Sequence, residues 1–326
     1  MYGYDVFHEE LMDTLIQAVR SRKNPHSYIF EGEPGMGKKA AADLLSAAIC
    51  CDEKNAPCSV CKSCVMAKGA THPDIKYVMP EKDKKTIGVD VMRQVNADAL
   101  IKPFYSSKKV YIIDGDLLTV EAQNAFLKTL EEPPLYASFI IIVSDITKLL
   151  QTVVSRCAHV HFSGVLADRM KKYLEQSYPG MSSSFPFYIS YANGNPGRLD
   201  SLLNSSEFSI LRDECYKAVS GILSSDYGEA FSVSDFFEHN KEQIADILDV
   251  LLLFLRDVLF IQEGLTSSVI NSDYLEKLKK IAGFAEAEKV VFATELVSVC
   301  GEMHKRNIGA KYIGMYLALS VKEGRH

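Results

Sequence analysis

The pattern of apolar and polar positions changes character about halfway along the chain. Short apolar runs predict strands at residues 27–30, 75–79, 110–114, 139–143 and 158–162. Between them lie segments with helical spacing. Leu11, Leu15, Ile16 and Val19 recur at that spacing within residues 7–19. Residues 40–49 are rich in Ala and Leu, and Val89, Met92, Val95 and Leu100 mark a helix over 88–100. Thr119 caps a further helix through Leu130, with Glu121 in its first turn and Pro133-Pro134 closing it. Strands alternating with helices predict an α/β fold with a parallel sheet and a ligand site at the strands' C-terminal ends.

Beyond Gly164 the strand signal stops. Residues 166–176 read as a helix and 182–186 as a loop. Residues 187–192 then lead into the turn Asn193-Gly194-Asn195-Pro196-Gly197-Arg198. From about residue 206 only helical periodicity remains, including a strongly apolar helix around 244–260. The expected organisation is an α/β domain over 1–164, a small helical lid over 165–205 and an all-α domain over 206–326.

Composition narrows the function classes. The chain has 47% hydrophobic and 24% charged residues and no Trp, the profile of an ordinary globular protein. Its net charge of −6 argues against broad, phosphate-driven nucleic-acid binding, so any DNA contact is local or carried by partners. The most apolar stretch, 244–261, is broken by Asp246, Asp249, Arg256 and Asp257 and predicts no membrane span. No segment has the order of a signal peptide, and a cytoplasmic location is expected. Eight cysteines in such a chain favour metal binding over disulfides.

Chemistry concentrates between residues 27 and 64. Gly32-Glu33-Pro34-Gly35-Met36-Gly37-Lys38 fits G-x-x-x-x-G-K, whose backbone N–H groups cradle phosphates while the lysine reaches the outer ones. A strand before it and a helix after it supply the context this motif requires. Lys39 stands where Ser or Thr would hold Mg²⁺, so two readings stay open: a nucleotide site, or a loop kept for its shape. Asp114 ends the third strand where a Mg²⁺-side carboxylate belongs. The neighbouring position, which would hold a carboxylate polarising the attacking water, is Gly115. Asp116 is two positions on and is not expected to point the same way. Together these losses make hydrolysis by this chain unexpected.

Cys51, Cys58, Cys61 and Cys64 have the C-x-x-C steps of a tetrahedral zinc site, with Cys50 able to substitute for Cys51. The iron–sulfur alternative wants a further cysteine where Lys68 stands. The expected ion is a structural Zn²⁺. Arg156, in Ser155-Arg156-Cys157, reads either as a surface ion pair or as an arginine finger. Arg198 reads either as a phosphate contact or as a helix cap, and Cys157 as a core residue.

Taken together, these segments resemble the delta-prime family of bacterial DNA polymerase III clamp-loader subunits, members of the AAA+ class. The resemblance is carried by EGEPGMGKK, the four-cysteine insertion, THPDIKYVMPEKDKKTIGVDVMRQV (71–95), NAFLKTLEEPP (124–134) and SRC (155–157). Phe126 stands where Leu is usual. The resemblance implies an AAA+ P-loop domain with a zinc module, a small helical lid and an all-α collar that joins five subunits into a ring. It makes Arg156 an arginine finger entering the adjacent subunit's ATP site, Arg198 the second sensor position and Ser144 roughly the first. It assigns Cys51, Cys58, Cys61 and Cys64 to zinc. The implied partners are the delta and gamma/tau-like subunits and, through the complex, the sliding clamp and primer-template DNA. Lys39 and Gly115 fit a stator that does not hydrolyse ATP, leaving ATP or ADP binding at Gly32, Gly35, Gly37, Lys38 and Lys39 open. The rival within the same loader is a gamma/tau-like motor subunit, its site rescued by Asp116 or water. A stand-alone metal or redox protein is disfavoured by the missing iron–sulfur ligand.

Overall fold

The structure is a computed structural model that describes residues 7–82 and 84–324. The chain divides into two compact units, one comprising residues 1–170 with 194–197 and the other 171–193 with 198–326.

The first unit is built in chain order from α1 (Glu9–Arg20), β1 (Ser27–Glu31), α2 (Lys38–Ile49), α3 (Lys62–Lys68), β2 (Ile75–Val78), α4 (Val89–Ala99), β3 (Lys109–Asp114), α5 (Val120–Glu131), β4 (Ala137–Val143), α6 (Gln151–Val154) and β5 (Ala158–His161). It closes with the first residues of α7 (Ala167–Ser177). The strands form one sheet in the order β2-β3-β4-β1-β5, and every pairing is parallel. Alternation along each strand divides the core between the two faces. Ile29, Tyr111, Ile113, Phe139 and Ile141 pack with Met92 and Val95 of α4 and Phe126 and Leu130 of α5. Tyr28, Phe30, Ile112, Ile140 and Val160 face the other way, against Met12 and Leu15 of α1 and Leu45 of α2. The Thr119 hydroxyl accepts the Ala122 N–H at 3.2 Å, which confirms the cap expected for α5.

Register sets the site. Glu31 lies beside Val143, and Asp114 beside Ile142. The glycine loop after β1, Asp114 at the end of β3 and Ser144 just after β4 therefore emerge along one edge. The chain leaves β1 for the distant β2 and later returns to β1's other side, which makes the end of β1 a topological switch point.

The regular structure of the second unit is all helical among the described residues: the rest of α7, α8 (Phe185–Ala192), α9 (Pro196–Leu203) from Arg198 onward, α10 (Ser206–Leu223), α11 (Gly228–His239), α12 (Ile244–Gln262), α13 (Leu275–Phe284), α14 (Ala287–Lys305) and α15 (Ala310–Glu323), with short 3₁₀ turns between some of them. The expected loop at 182–186 is instead a 3₁₀ turn, Pro179–Ser184, running straight into α8. Pro186 is accommodated because it falls in the first turn of α8, where a missing N–H costs nothing. The charges that interrupt α12 have partners. The fully buried Asp257 accepts the backbone N–H of Asn271 at 2.8 Å and of Ile270 at 3.2 Å, fastening the chain after the helix. No described helix is long and apolar enough to cross a membrane.

Candidate functional site

The phosphate loop forms where the sequence predicts it. Gly32, Gly35 and Gly37 all take positive φ, and Gly37 caps α2 in the left-handed conformation. Lys38 opens α2 and is buried, and its ammonium donates to the carbonyl oxygens of Gly32 and Glu33, the latter at 2.8 Å. The lysine thus closes on its own loop. Burial lowers its pKa, while Asp116, Asp114 and Glu33 pull the other way. Lys39 points elsewhere: its ammonium lies 5.6 Å from the centre of the Tyr77 ring.

A second segment lies on the loop. The Asn195 side-chain amide donates to the Pro34 carbonyl at 2.8 Å, and the Gly197 N–H donates to the Gly35 carbonyl at 2.9 Å. The approach is close enough that a Cβ on Gly35 would stand 2.3 Å from Asn195 Oδ1, and one on Gly197 would stand 2.6 Å from the Gly35 Cα. The turn was visible in the sequence. Its docking onto the loop was not, because that depends on long-range packing.

Asp114 and Asp116 have separate fates. Burial raises the Asp114 pKa, its backbone bond from Asp116 opposing and the Asp116 charge adding to the rise. The Asp116 carboxylate accepts the Ser144 N–H at 3.0 Å and its hydroxyl at 2.8 Å, and pairs with Lys148 at 3.0 Å. Burial works to raise the Asp116 pKa, but those bonds outweigh it and hold the group below its usual value. Asp116 is thereby tied to the residue that follows β4. At Gly115 a Cβ would come within 2.8 Å of Ile141 Cγ2 and 3.0 Å of the Ile142 carbonyl, so the fold leaves no room for a side chain there.

The thiols of Cys51, Cys58, Cys61 and Cys64 converge, with all four sulfurs within 4.8 Å of one another. The Cys51–Cys61 and Cys58–Cys64 separations are 3.9 and 4.0 Å. Tetrahedral Zn²⁺ with bonds of about 2.3 Å separates its sulfurs by about 3.8 Å, so the four donors fit a metal ion. The N–H of Cys61 points at Cys58 Sγ, and that of Cys64 at Cys61 Sγ, which suits thiolates. Backbone N–H groups of Val60 and, next, Cys61 hold the Cys58 pKa down to about 7. Cys50 is not in this group, because its sulfur faces the Lys108 carbonyl in the sheet core. The module is not simply a loop either, since Cys64 lies on α3 and the Cys61 sulfur caps that helix. It is braced by Ser63, whose hydroxyl bonds the Cys50 carbonyl at 2.8 Å and His72 Nε2 at 2.9 Å.

Arg156 follows α6, and its guanidinium grips Glu131 at the end of α5, with Nε 2.9 Å from the carboxylate oxygen. A second nitrogen donates to the Thr152 carbonyl at 2.7 Å. The sequence flagged the arginine but not its partner, although Glu131 stands in the same run, NAFLKTLEEPP. Cys157 packs against the sheet core, and burial pushes its thiol up to about 12. Arg198, in the helical unit, stacks 4.3 Å from the Tyr191 ring and pairs with Asp249 at 3.2 Å.

Residues 7–165 match a family model described as DNA polymerase III, delta subunit, and residues 206–309 match its C-terminal counterpart. The delta-prime subunit of Bacillus subtilis strain 168 is 30% identical, covering 96% of both chains. The chain belongs to the DNA polymerase III delta-prime family. Its architecture is a parallel-sheet P-loop domain, a cysteine module and an all-helical C-terminal region. The delta-prime subunit of Escherichia coli K12 is 27% identical over 80% of this chain and 77% of its own. The tau subunit of B. subtilis is 29% identical over 91% of this chain but only 56% of its own length.

Proposed function

We propose that this delta-prime family member is the non-hydrolysing stator of a clamp loader that places the sliding clamp on primed DNA. One observation carries the reading: the ammonium of Lys38 is bonded to its own phosphate loop, at the carbonyls of Gly32 and Glu33, where a nucleotide's outer phosphates would draw it. Lys39, which offers no hydroxyl to Mg²⁺, and Gly115, which has no room for a carboxylate, support it. The similarity to tau favours a motor reading, but neither of these positions does.

In this reading Arg156 acts in trans, stabilising transition-state charge in the adjacent subunit's ATP site. Residues 1–164 are the AAA+ domain, 165–205 the lid carrying Arg198, and 206–326 the collar that joins the delta and gamma/tau-like subunits in a five-membered cytoplasmic ring. The four cysteines hold a structural Zn²⁺ that orders residues 51–64, a role the closed tetrahedral donor set supports.

Steady-state ATPase of the isolated chain with Mg²⁺ tests the proposal. No turnover above background is expected. Robust Mg²⁺-dependent turnover overturns the stator reading in favour of the motor.

A further inference from the structure

A second group of metal-type donors lies away from the cysteines, on the other side of the sheet order. β1 and β5 pair in parallel with Glu31 beside His161. His159 and His161 are two apart on an edge strand, so their side chains leave the same face. Their rings are 6.5 Å apart, and both turn towards the Glu31 carboxylate. Glu31 Oε2 is 2.7 Å from His159 Nε2 and 3.3 Å from His161 Nδ1. The three donor atoms lie within 4.8 Å of one another. The remaining oxygen, Oε1, accepts the Ile146 N–H at 3.1 Å, a bond that fixes the carboxylate's orientation from outside the donor set.

We propose that Glu31, His159 and His161 form a second divalent transition-metal site, open at one coordination position. The donor chemistry selects the ion. Two imidazoles and one carboxylate suit Zn²⁺, Co²⁺ or Ni²⁺, whereas Mg²⁺ and Ca²⁺ demand an oxygen-rich shell that two histidines do not supply. Bonds of about 2.1 Å put tetrahedral donor atoms about 3.4 Å apart. His161 already stands at that spacing from Glu31, and His159 needs to withdraw by only a fraction of an ångström. The Glu31 side chain is 16% exposed and the imidazoles 40% and 60%, so the carboxylate forms the floor and the fourth position faces solvent. An ion here ties the end of edge strand β5 to the end of β1, immediately before Gly32. Two N–H groups donating to one carboxylate explain the same geometry without an ion, and experiment separates the two.

The full chain is equilibrated by dialysis against buffered Zn²⁺ and its zinc content measured by elemental analysis. The parent is compared with His159→Ala/His161→Ala and with Cys58→Ser. The parent is expected to retain one more ion than the double histidine variant, and Cys58→Ser to keep that ion. Added Zn²⁺ is expected to raise the melting temperature of Cys58→Ser, since a ligand that binds only the folded state stabilises it, and to lose that effect once both histidines are removed. Equal zinc content in the parent and the double histidine variant overturns the site, as does a Cys58→Ser chain whose melting ignores Zn²⁺.

Discussion

Glu131 holds the guanidinium of Arg156 in a pair that is partly open to solvent, the two side chains being 32% exposed for the arginine and 48% for the glutamate. Exposed pairs of this kind contribute at most about 1 kcal/mol to stability. The arginine is therefore positioned more than it is structural. Arg156→Ala is expected to change the free energy of unfolding by less than about 1 kcal/mol, read by urea denaturation. In the reconstituted loader it is expected to lower ATP hydrolysis at the neighbouring site by about 10³-fold. Glu131→Gln, which weakens the grip but leaves the arginine, should lower it far less. Loader turnover that ignores Arg156→Ala would remove this residue from the mechanism.

The two adjacent cysteines separate cleanly. Cys51 faces the other three thiols, whereas Cys50 faces the Lys108 carbonyl. Cys51→Ala is expected to lose the metal of the cysteine module, and Cys50→Ala to keep it at full occupancy. Zinc analysis of the purified variants reads this out. Metal loss in both variants, or in neither, would contradict the assignment.

On the stator reading, Gly115 stands where a hydrolysing subunit would carry its water-polarising acid. A side chain there meets Ile141 and the backbone of Ile142. Gly115→Glu is thus expected to destabilise the chain by about 1–3 kcal/mol through overpacking. It is also expected to leave ATP turnover at background, because Lys39 still offers no hydroxyl to Mg²⁺. Denaturation midpoints and an ATPase assay on the same preparation check both halves.

Asp74 gives a pH signature. Its carboxylate accepts the backbone N–H groups of Phe104, Tyr105 and Ser106 at 2.6, 2.7 and 2.9 Å. Burial works to raise its pKa, yet those bonds prevail and hold it below the usual value. A carboxyl depressed in the fold adds stability at pH values above its unfolded pKa of about 3.9, and this is lost as pH falls through the folded value. Asp74→Asn is expected to cost about 1–3 kcal/mol at pH 7. The gap between parent and variant should narrow below about pH 4, and a gap that stays constant down to pH 2 would count against this account.

Local signals carried much of this molecule. The five strands, the Thr119 cap and the glycine loop follow from periodicity, capping chemistry and spacing, all of which act over a few residues. What escaped was long-range. The bonds from Asn195 and Gly197 to the phosphate loop, and the Glu131 partner of Arg156, join segments remote in sequence. The helix at Cys64 and the 3₁₀ turn before α8 escaped for another reason, being too short for a periodic pattern to register. The pair His159 and His161, alternating on a strand, was a readable signal for a shared face. Its third member, Glu31, came into view only with the parallel register of β1 and β5.

The contact between Gly35 and Gly197 bears on how this subunit could change over evolutionary time. Main chain rests on main chain there, joined by the Gly197 N–H bond to the Gly35 carbonyl. Restoring a hydroxyl at position 39 or an acid at 115 would not lift one backbone segment off the other. On the stator reading, a hydrolysing site would need the hydroxyl, the acid and new space beside Ile141 and Ile142 for that acid, all together. On that reading a lineage making these changes singly gains nothing from the first of them, so the fold acts as a ratchet against reversion.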